Sequence, residues 1–272
     1  MPELPEVETV RRSLLKKLLN KKITDIKILY NDIFQDQDIS KVILNIKNQK
    51  IVDIKRRGKW LIFELNNYYL LSHLRMEGKY VYRNLNQEIE KHELVIFNID
   101  DQFELRYKDV RRFGKMYLVE KDNLCKSPLS KLGYEPWDDA LTVDYLREKY
   151  KNKSIPIKTI LLDQTIVTGI GNIYADEILF LSKINPKMRG RDLTDENLND
   201  IIINTRKVLE QAIEQKGTTI RSYTSEEGVA GNFQNNLSVH KREGEKCLCC
   251  NGIIKRIKIG GRSTYYCENC QK

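Results

Sequence analysis

Met1-Pro2-Glu3-Leu4-Pro5-Glu6 opens the chain and combines two signals. Pro5 suits the first position of a helix, and Glu6 and Glu8 suit its positive end. Val7, Val10, Leu14 and Leu18 then recur at helical spacing with Arg11, Arg12, Lys16 and Lys17 between them, so an amphipathic helix is expected to end near Asn20. The second signal is chemical. A small residue behind Met1 favours its removal, which would leave Pro2 as a free secondary amine. An α-amino group titrates near ~7.7 to 8.0, against ~10.4 for lysine, so much of it is free base at neutral pH. Such an amine can attack a sugar or aldehyde carbon and form an iminium ion, with Glu3 and Glu6 beside it as proton carriers. Alone, the hexapeptide favours the plain helix start over a catalytic head.

Downstream the period changes. Ile23-Ile28, Ile51-Lys55, Trp60-Leu65, Tyr68-Leu74, Tyr80-Tyr82, Glu93-Ile99, Phe103-Tyr107 and Lys115-Val119 are short β-branched or aromatic runs separated by polar or glycine turns. They predict an antiparallel sandwich or barrel, and periodicity leaves the two open. Three connections are unusually basic or carry misplaced apolar side chains: Arg56-Arg57-Gly58-Lys59, His73-Leu74-Arg75-Met76-Glu77-Gly78 and Asp109-Val110-Arg111-Arg112-Phe113-Gly114. A methionine or phenylalanine in a loop is usually core cover, but beside arginines it can also wedge between bases.

The stretch Ser127-Pro128 to Pro136-Trp137 marks a domain boundary. Beyond it the spacing is helical, at Val143-Tyr150, Pro156-Asp163, Ile173-Ser182 and Thr194-Lys216. Between the second and third helices, Thr168-Gly169-Ile170-Gly171-Asn172 allows close backbone approach and a helix N-terminus for phosphate, or a simple N-cap at Asn172. Gly217 to Asn236 reads as a functional lid or as plain surface.

Five of the six cysteines fall within residues 247–272, and Cys247-x2-Cys250-x16-Cys267-x2-Cys270 has the spacing of a closed four-thiolate zinc site. Cys249 is surplus, and four thiolates leave no open position for catalysis. Residues 241–272 carry eight basic and three acidic side chains; the formal +5 becomes +3 with one Zn²⁺ on four thiolates, so the ribbon stays basic. The whole chain of 272 residues has a formal net charge of +9, which points to nucleic acid before an anionic membrane. No apolar run approaches the ~20 residues of a spanning helix and no signal-peptide segment is evident, so a cytoplasmic protein with no membrane partner is expected.

Taken together in this order, Pro2-Glu3-Leu4-Pro5-Glu6, Gly169 to Glu177 and the four cysteines resemble the formamidopyrimidine-DNA glycosylase family, over essentially the whole chain. The resemblance implies an α+β protein. An N-terminal catalytic β-sandwich lobe with an N-terminal helix spans residues 2–130. A helix-two-turn-helix region with a lesion-recognition loop spans 131–236, and a zinc finger with one structural zinc spans 237–272. It further implies a bacterial, nucleoid-associated monomer that acts on double-stranded DNA containing an oxidised purine (8-oxoguanine, formamidopyrimidines) or an abasic site, as a bifunctional glycosylase and AP lyase. By the same resemblance Pro2 is the nucleophile, Glu3 an acid assisting sugar ring opening, Glu6 a supporting carboxylate and Lys59 a phosphate contact near the lesion. His73 lies near the target phosphate; Met76, Arg111 and Phe113 fill the hole left by the flipped nucleotide. Lys158, Asn172, Tyr174 and Arg262 are DNA contacts, and Arg221 and Tyr223 belong to the loop closing over the damaged base. Leu4 and Arg111-Arg112-Phe113 favour this family over the endonuclease VIII-like branch of the same superfamily, which prefers oxidised pyrimidines. Asn251 stands where the family often has glycine. Rival readings from other classes are a non-catalytic DNA-binding protein and an RNA-binding zinc ribbon.

Overall fold

A computed structural model of the protein describes residues 1–218 and 231–272. Helix α1 (Leu4–Leu18) starts one residue earlier than its prolines suggest, with Glu3 as its cap and Pro5 in its first turn. It ends where Asn20 takes a left-handed φ of 66°, a conformation asparagine tolerates. Val7, Val10, Leu14 and Leu18 are buried in one apolar core with Ile54, Phe63, Val95 and Phe97. Each such side chain contributes roughly 1.5–3 kcal/mol by leaving water.

The core is enclosed by eight antiparallel strands: β1 (Lys22–Ile28), β2 (Gln49–Arg57), β3 (Trp60–Leu65), β4 (Tyr68–His73), β5 (Lys79–Asn84), β6 (Glu93–Ile99), β7 (Phe103–Lys108) and β8 (Lys115–Glu120), in the order β5-β7-β6-β1-β2-β3-β4-β8. β1 and β2 share only the pairs Lys22–Lys50 and Ile23–Gln49, so the sheet turns there into two halves. Phe63 on one half meets Tyr80 on the other with ring centroids 5.6 Å apart, and the Tyr80 hydroxyl donates to Ser72 Oγ at 2.8 Å. The halves face each other as a sandwich. Asp100 and Asp101 turn β6 into β7, both at positive φ as a type I′ turn requires.

No element is assigned to residues 39–46 from the sequence. Helix α2 (Ile39–Ile46) interrupts the strand-rich region, its N-terminus capped by the Asp38 side chain on the Ser40 and Lys41 amides. Its Ile and Val content reads locally as strand, yet Val42 and Ile46 lie at helical spacing and are the residues it buries.

Two compact units are present: Met1–Ser130 with Lys216–Gly231, and Lys131–Gln215 with Asn232–Lys272. The second holds α3 (Val143–Tyr150), α4 (Ile157–Leu161), α5 (Asn172–Leu181), α6 (Asp195–Glu214) and the hairpin β9 (Ile254–Ile259) and β10 (Arg262–Cys267). Helix α6 is capped by Thr194 and Asn197 reciprocally and buries Leu198, Ile201, Ile202, Thr205, Val208, Leu209 and Ala212, the face its periodicity predicts. α5 is buried on nearly all sides, including its acidic Asp176 and Glu177.

Candidate active site and nucleic-acid interface

Pro2, Glu3 and Glu6 are all buried at the start of α1. The Glu3 amide donates to Glu6 Oε2 at 2.8 Å within a reciprocal capping box, while Glu6 Oε1 accepts the Thr218 amide at 2.8 Å and is 3.3 Å from its hydroxyl. One carboxylate therefore fixes both the N-terminal head and the base of the segment that follows α6. Gly217 is needed at that base. Its φ is +77°, and a Cβ there would lie 2.5 Å from Glu6 Oε1.

The β2–β3 turn is held from α1. Glu8 pairs with Arg11 and Arg12 at 2.8 Å and with Arg56 at 3.2 Å, and Arg56 Nη1 donates to the Gly58 carbonyl at 3.1 Å. Burial opposes ionisation of Glu8, but the hydrogen bonds and charge of Arg11, then of Arg12 and Arg56, hold it below the ordinary carboxylate range. This network places Lys59, only 6% exposed, in the turn between Gly58 and Trp60.

His73 ends β4 with its ring edge-on to Trp60, centroids 4.8 Å apart. Its Nδ1 accepts the Arg75 amide at 3.0 Å, so the neutral ring carries its proton on Nε2 and can donate it. Burial first, then the Arg75 and Lys59 charges, push its pKa down to about 3. Between about pH 3 and ~6.5 the unfolded chain binds a proton here that the folded chain does not, so stability falls as pH drops through that window, by up to roughly 1.4 kcal/mol per unit. We expect His73→Gln to flatten the acid limb of the melting temperature against pH; an unchanged limb would remove His73 from it.

Two neighbouring connections carry the apolar probes. Met76 and Phe113 are exposed, and the Arg111 guanidinium lies 4.6 Å from the Phe113 ring centroid. The second connection is wound around Asp109, whose carboxylate accepts the amides of Arg111 (3.0 Å), Phe113 (3.0 Å) and Gly114 (2.8 Å). Three donors on one buried acid give the connection one shape, with Arg112 forced to a φ of 55°.

In the second unit, Asn172 begins α5 and its Nδ2 donates to the Ser263 carbonyl at 3.0 Å, tying that helix start to the residue after the exposed Arg262. Arg262 follows the Gly260-Gly261 turn, both glycines at positive φ. Lys158 and Tyr174 are fully buried. The Lys158 ammonium is paired with Asp176 and reaches the Asn172 carbonyl at 3.2 Å, and Asp176 also holds His240 Nδ1 at 2.7 Å. Glu177 accepts the amides of Ser238 (2.7 Å), Val239 (3.0 Å) and His240 (2.9 Å); burial still raises its pKa despite these donors. These acids anchor the finger's approach to α5.

The sulfurs of Cys247, Cys250, Cys267 and Cys270 lie within 4.8 Å of one another, with separations of 3.4, 3.5 and 3.8 Å among them. Tetrahedral zinc with Zn–S bonds of ~2.3 Å needs sulfurs about 3.8 Å apart, so this set fits one structural zinc. Cys249 is exposed and outside the cluster.

Arg221 and Tyr223 lie outside the described residues. Sequence reasoning assigns no role to Asp109, Asp176, Glu177 or His240. The signals for them are an aspartate opening a turn of basic residues and two acids inside an otherwise apolar helix. Among the described residues no helix is long and apolar enough to cross a membrane.

The sequence matches the formamidopyrimidine-DNA glycosylase N-terminal domain over residues 1–116, the formamidopyrimidine-DNA glycosylase H2TH domain over 132–224, and a zinc finger found in FPG and IleRS over 244–272. A formamidopyrimidine-DNA glycosylase of Bacillus cereus is 43% identical over 273 residues, covering all of this chain and 99% of its own. A Lactococcus lactis FPG point mutant, solved with a Fapy-dG containing DNA, is 38% identical and superposes with a TM-score of 0.93. The Lactococcus lactis Fpg solved with an abasic site containing DNA gives 37% and 0.92. Both structures are covered in full, as is this chain.

Proposed function

Because this chain belongs to the formamidopyrimidine-DNA glycosylase family and is a DNA glycosylase of base-excision repair, we propose that it removes oxidised purines from duplex DNA through an iminium on Pro2 and then cuts the strand as an AP lyase. The observation that carries this reading is the Glu6 bracket, which seats Glu3 and the Pro2 end in one buried arrangement.

With Met1 removed, the Pro2 nitrogen attacks C1′ of an extruded nucleotide and the C1′–N bond to the base breaks. Glu3 protonates the ring oxygen O4′, opening the sugar to the iminium. The cation acidifies the C2′ hydrogen; β-elimination expels the 3′ phosphate, δ-elimination the 5′ phosphate, and water releases the sugar remnant from Pro2. The α1 N-terminus, positive by its dipole, helps keep the amine unprotonated. Glu6 orients this head without touching substrate. Lys59, and His73 through its Nε2 proton, bind phosphates flanking the lesion, and Met76, Arg111 and Phe113 occupy the vacated space in the stack.

Asn172 and Arg262 bind the DNA backbone. Lys158 acts through Asn172 rather than on phosphate, since its ammonium is enclosed with Asp176. Tyr174 likewise supports the start of α5, while Arg221 and Tyr223 close over the lesion. The zinc holds the finger's shape. The protein works as a cytoplasmic monomer. The deciding assay is single-turnover cleavage of a duplex with 8-oxoguanine opposite cytosine: the base is released and a one-nucleotide gap with phosphate at both ends is left. Faster processing of an oxidised pyrimidine would move the chain to the endonuclease VIII-like preference, and binding without cleavage would make it a non-catalytic DNA binder.

A further inference from the structure

The two probe connections share their boundaries. Residues 74–78 join β4 to β5, and residues 109–114 join β7 to β8. β4 pairs with β8 through His73 and Lys115, and β5 pairs with β7 through Lys79 and Lys108. The connections therefore leave and land side by side as they cross between the halves of the sandwich. Each ends in a glycine, Gly78 and Gly114.

Tyr107 stands between them. It is fully buried near the end of β7, opposite Tyr80, with the two rings edge-on at 5.2 Å. Tyr80 in turn meets Phe63 at 5.6 Å and donates to Ser72, so an aromatic column fixed in the sandwich core supports the phenol. A Cβ on Gly78 would lie 2.1 Å from Tyr107 Oη, and one on Gly114 would lie 1.9 Å from it. The phenol end of Tyr107 thus presses on both glycines, with its oxygen the nearest atom to each; at Gly78 the Leu74 carbonyl, 2.6 Å from the same Cβ position, also excludes a side chain. Neither has the left-handed backbone that usually calls for glycine. The hydroxyl is buried without a hydrogen-bond partner among the described residues. Phenylalanine would avoid that cost, so no hydrogen bond among the described residues explains the oxygen's presence.

We propose that Tyr107 is a positioning residue whose hydroxyl acts as a spacer, setting the separation of the Met76 connection from the Arg111–Phe113 connection so that their side chains enter the base stack in register. Asp109 gives the second connection its shape, and Tyr107 gives the pair its spacing. Burial, with the Asp109 charge next and Tyr80 after it, raises the phenol's pKa well above its ordinary value, so the spacer stays neutral throughout the working range. The inference rests on the proposed role of Met76, Arg111 and Phe113 as void fillers.

The test compares wild type, Tyr107→Phe, Met76→Ala and Phe113→Ala in single-turnover base release from an 8-oxoguanine:cytosine duplex. 2-Aminopurine beside the lesion reports nucleotide extrusion, and a pre-formed abasic site serves as a second substrate. Tyr107→Phe is expected to melt no lower than wild type, because it loses an unpaired buried hydroxyl. It should nevertheless slow extrusion and base release about tenfold, and cleavage of the abasic site by no more than about twofold, since no base remains to be displaced there. Extrusion at the wild-type rate in Tyr107→Phe, while Met76→Ala and Phe113→Ala are slow, would overturn the spacer role alone. An equal loss on both substrates with a lower melting temperature would also overturn it, by showing a general packing defect. Wild-type extrusion in Met76→Ala and Phe113→Ala would remove the void-filling reading and the spacer with it.

Discussion

Pro2→Glu is expected to give no borohydride-trapped adduct with 8-oxoguanine DNA and to lower base release by at least ~10³-fold, a loss of the order expected when a nucleophile is misplaced. A large charged second residue blocks removal of Met1, so the free amine moves to Met1, one Cα step of ~3.8 Å away. The head cannot shift to compensate. Glu3 is held by Glu6 at 2.8 Å, and Glu6 is held in turn by Thr218. A reacting pair must approach to ~3–3.5 Å, so a displacement of one residue is decisive. Noncovalent affinity for an abasic-site analogue should stay within about threefold, because Asn172 and Arg262 lie in the other unit. Intact mass provides the control: wild type should lack Met1 and the variant should retain it. A wild-type yield of adduct from the Met1-retaining variant would exclude Pro2 as the nucleophile.

The features legible in the sequence are those encoded locally. Trp60–Leu65 and Glu93–Ile99 appear as strands because their β-branched and aromatic runs are bounded by turn residues, and α6 appears because its apolar face repeats at helical spacing. The cysteine pairs are equally local, since the bite of Cys-x2-Cys is set by a few bonds. What the sequence leaves hidden depends on chain folding over a distance. Asp109 can be seen to open a turn, but not to gather three amides. Tyr107 reads as one more strand aromatic until β5 and β7 bring Gly78 and Gly114 to the same oxygen. Lys158 reads as a cation for phosphate; only the packing of α4 on α5 shows that it is enclosed with Asp176. α2 fails locally for a different reason, because β-branched residues form it despite their strand propensity, helped by the Asp38 cap and by burial of Val42 and Ile46.

Cys267→Ala should yield protein without zinc whose affinity for lesion DNA falls about 100-fold at ~0.1 M salt, while the β-rich unit keeps its own melting transition. The substitution acts on geometry more than on charge. Cys267 is buried in a small core with Phe180, Val239, Cys247 and Ile254, and its amide donates to Gln271 Oε1 at 2.9 Å. The Gln271 side chain donates in turn to the Ile184 carbonyl at 2.9 Å, so the metal site and the end of α5 are braced together. Without the metal, the β9–β10 hairpin loses the restraint that keeps Ser263 against Asn172, and Arg262 loses its fixed position beside that helix start. Charge alone predicts the opposite result. Formal charge counts every metal-free cysteine as a neutral thiol. The formal charge of residues 241–272 then rises from +3 with zinc on four thiolates to +5. If the finger bound DNA as a diffuse basic patch, losing zinc would tighten nonspecific binding and steepen its salt dependence. If it binds through a placed Arg262, binding weakens and the salt dependence becomes shallower by about one phosphate contact. A titration of wild type and Cys267→Ala across salt concentrations separates the two, and equal or tighter binding by the zinc-free variant would show that the finger's shape does not serve DNA recognition.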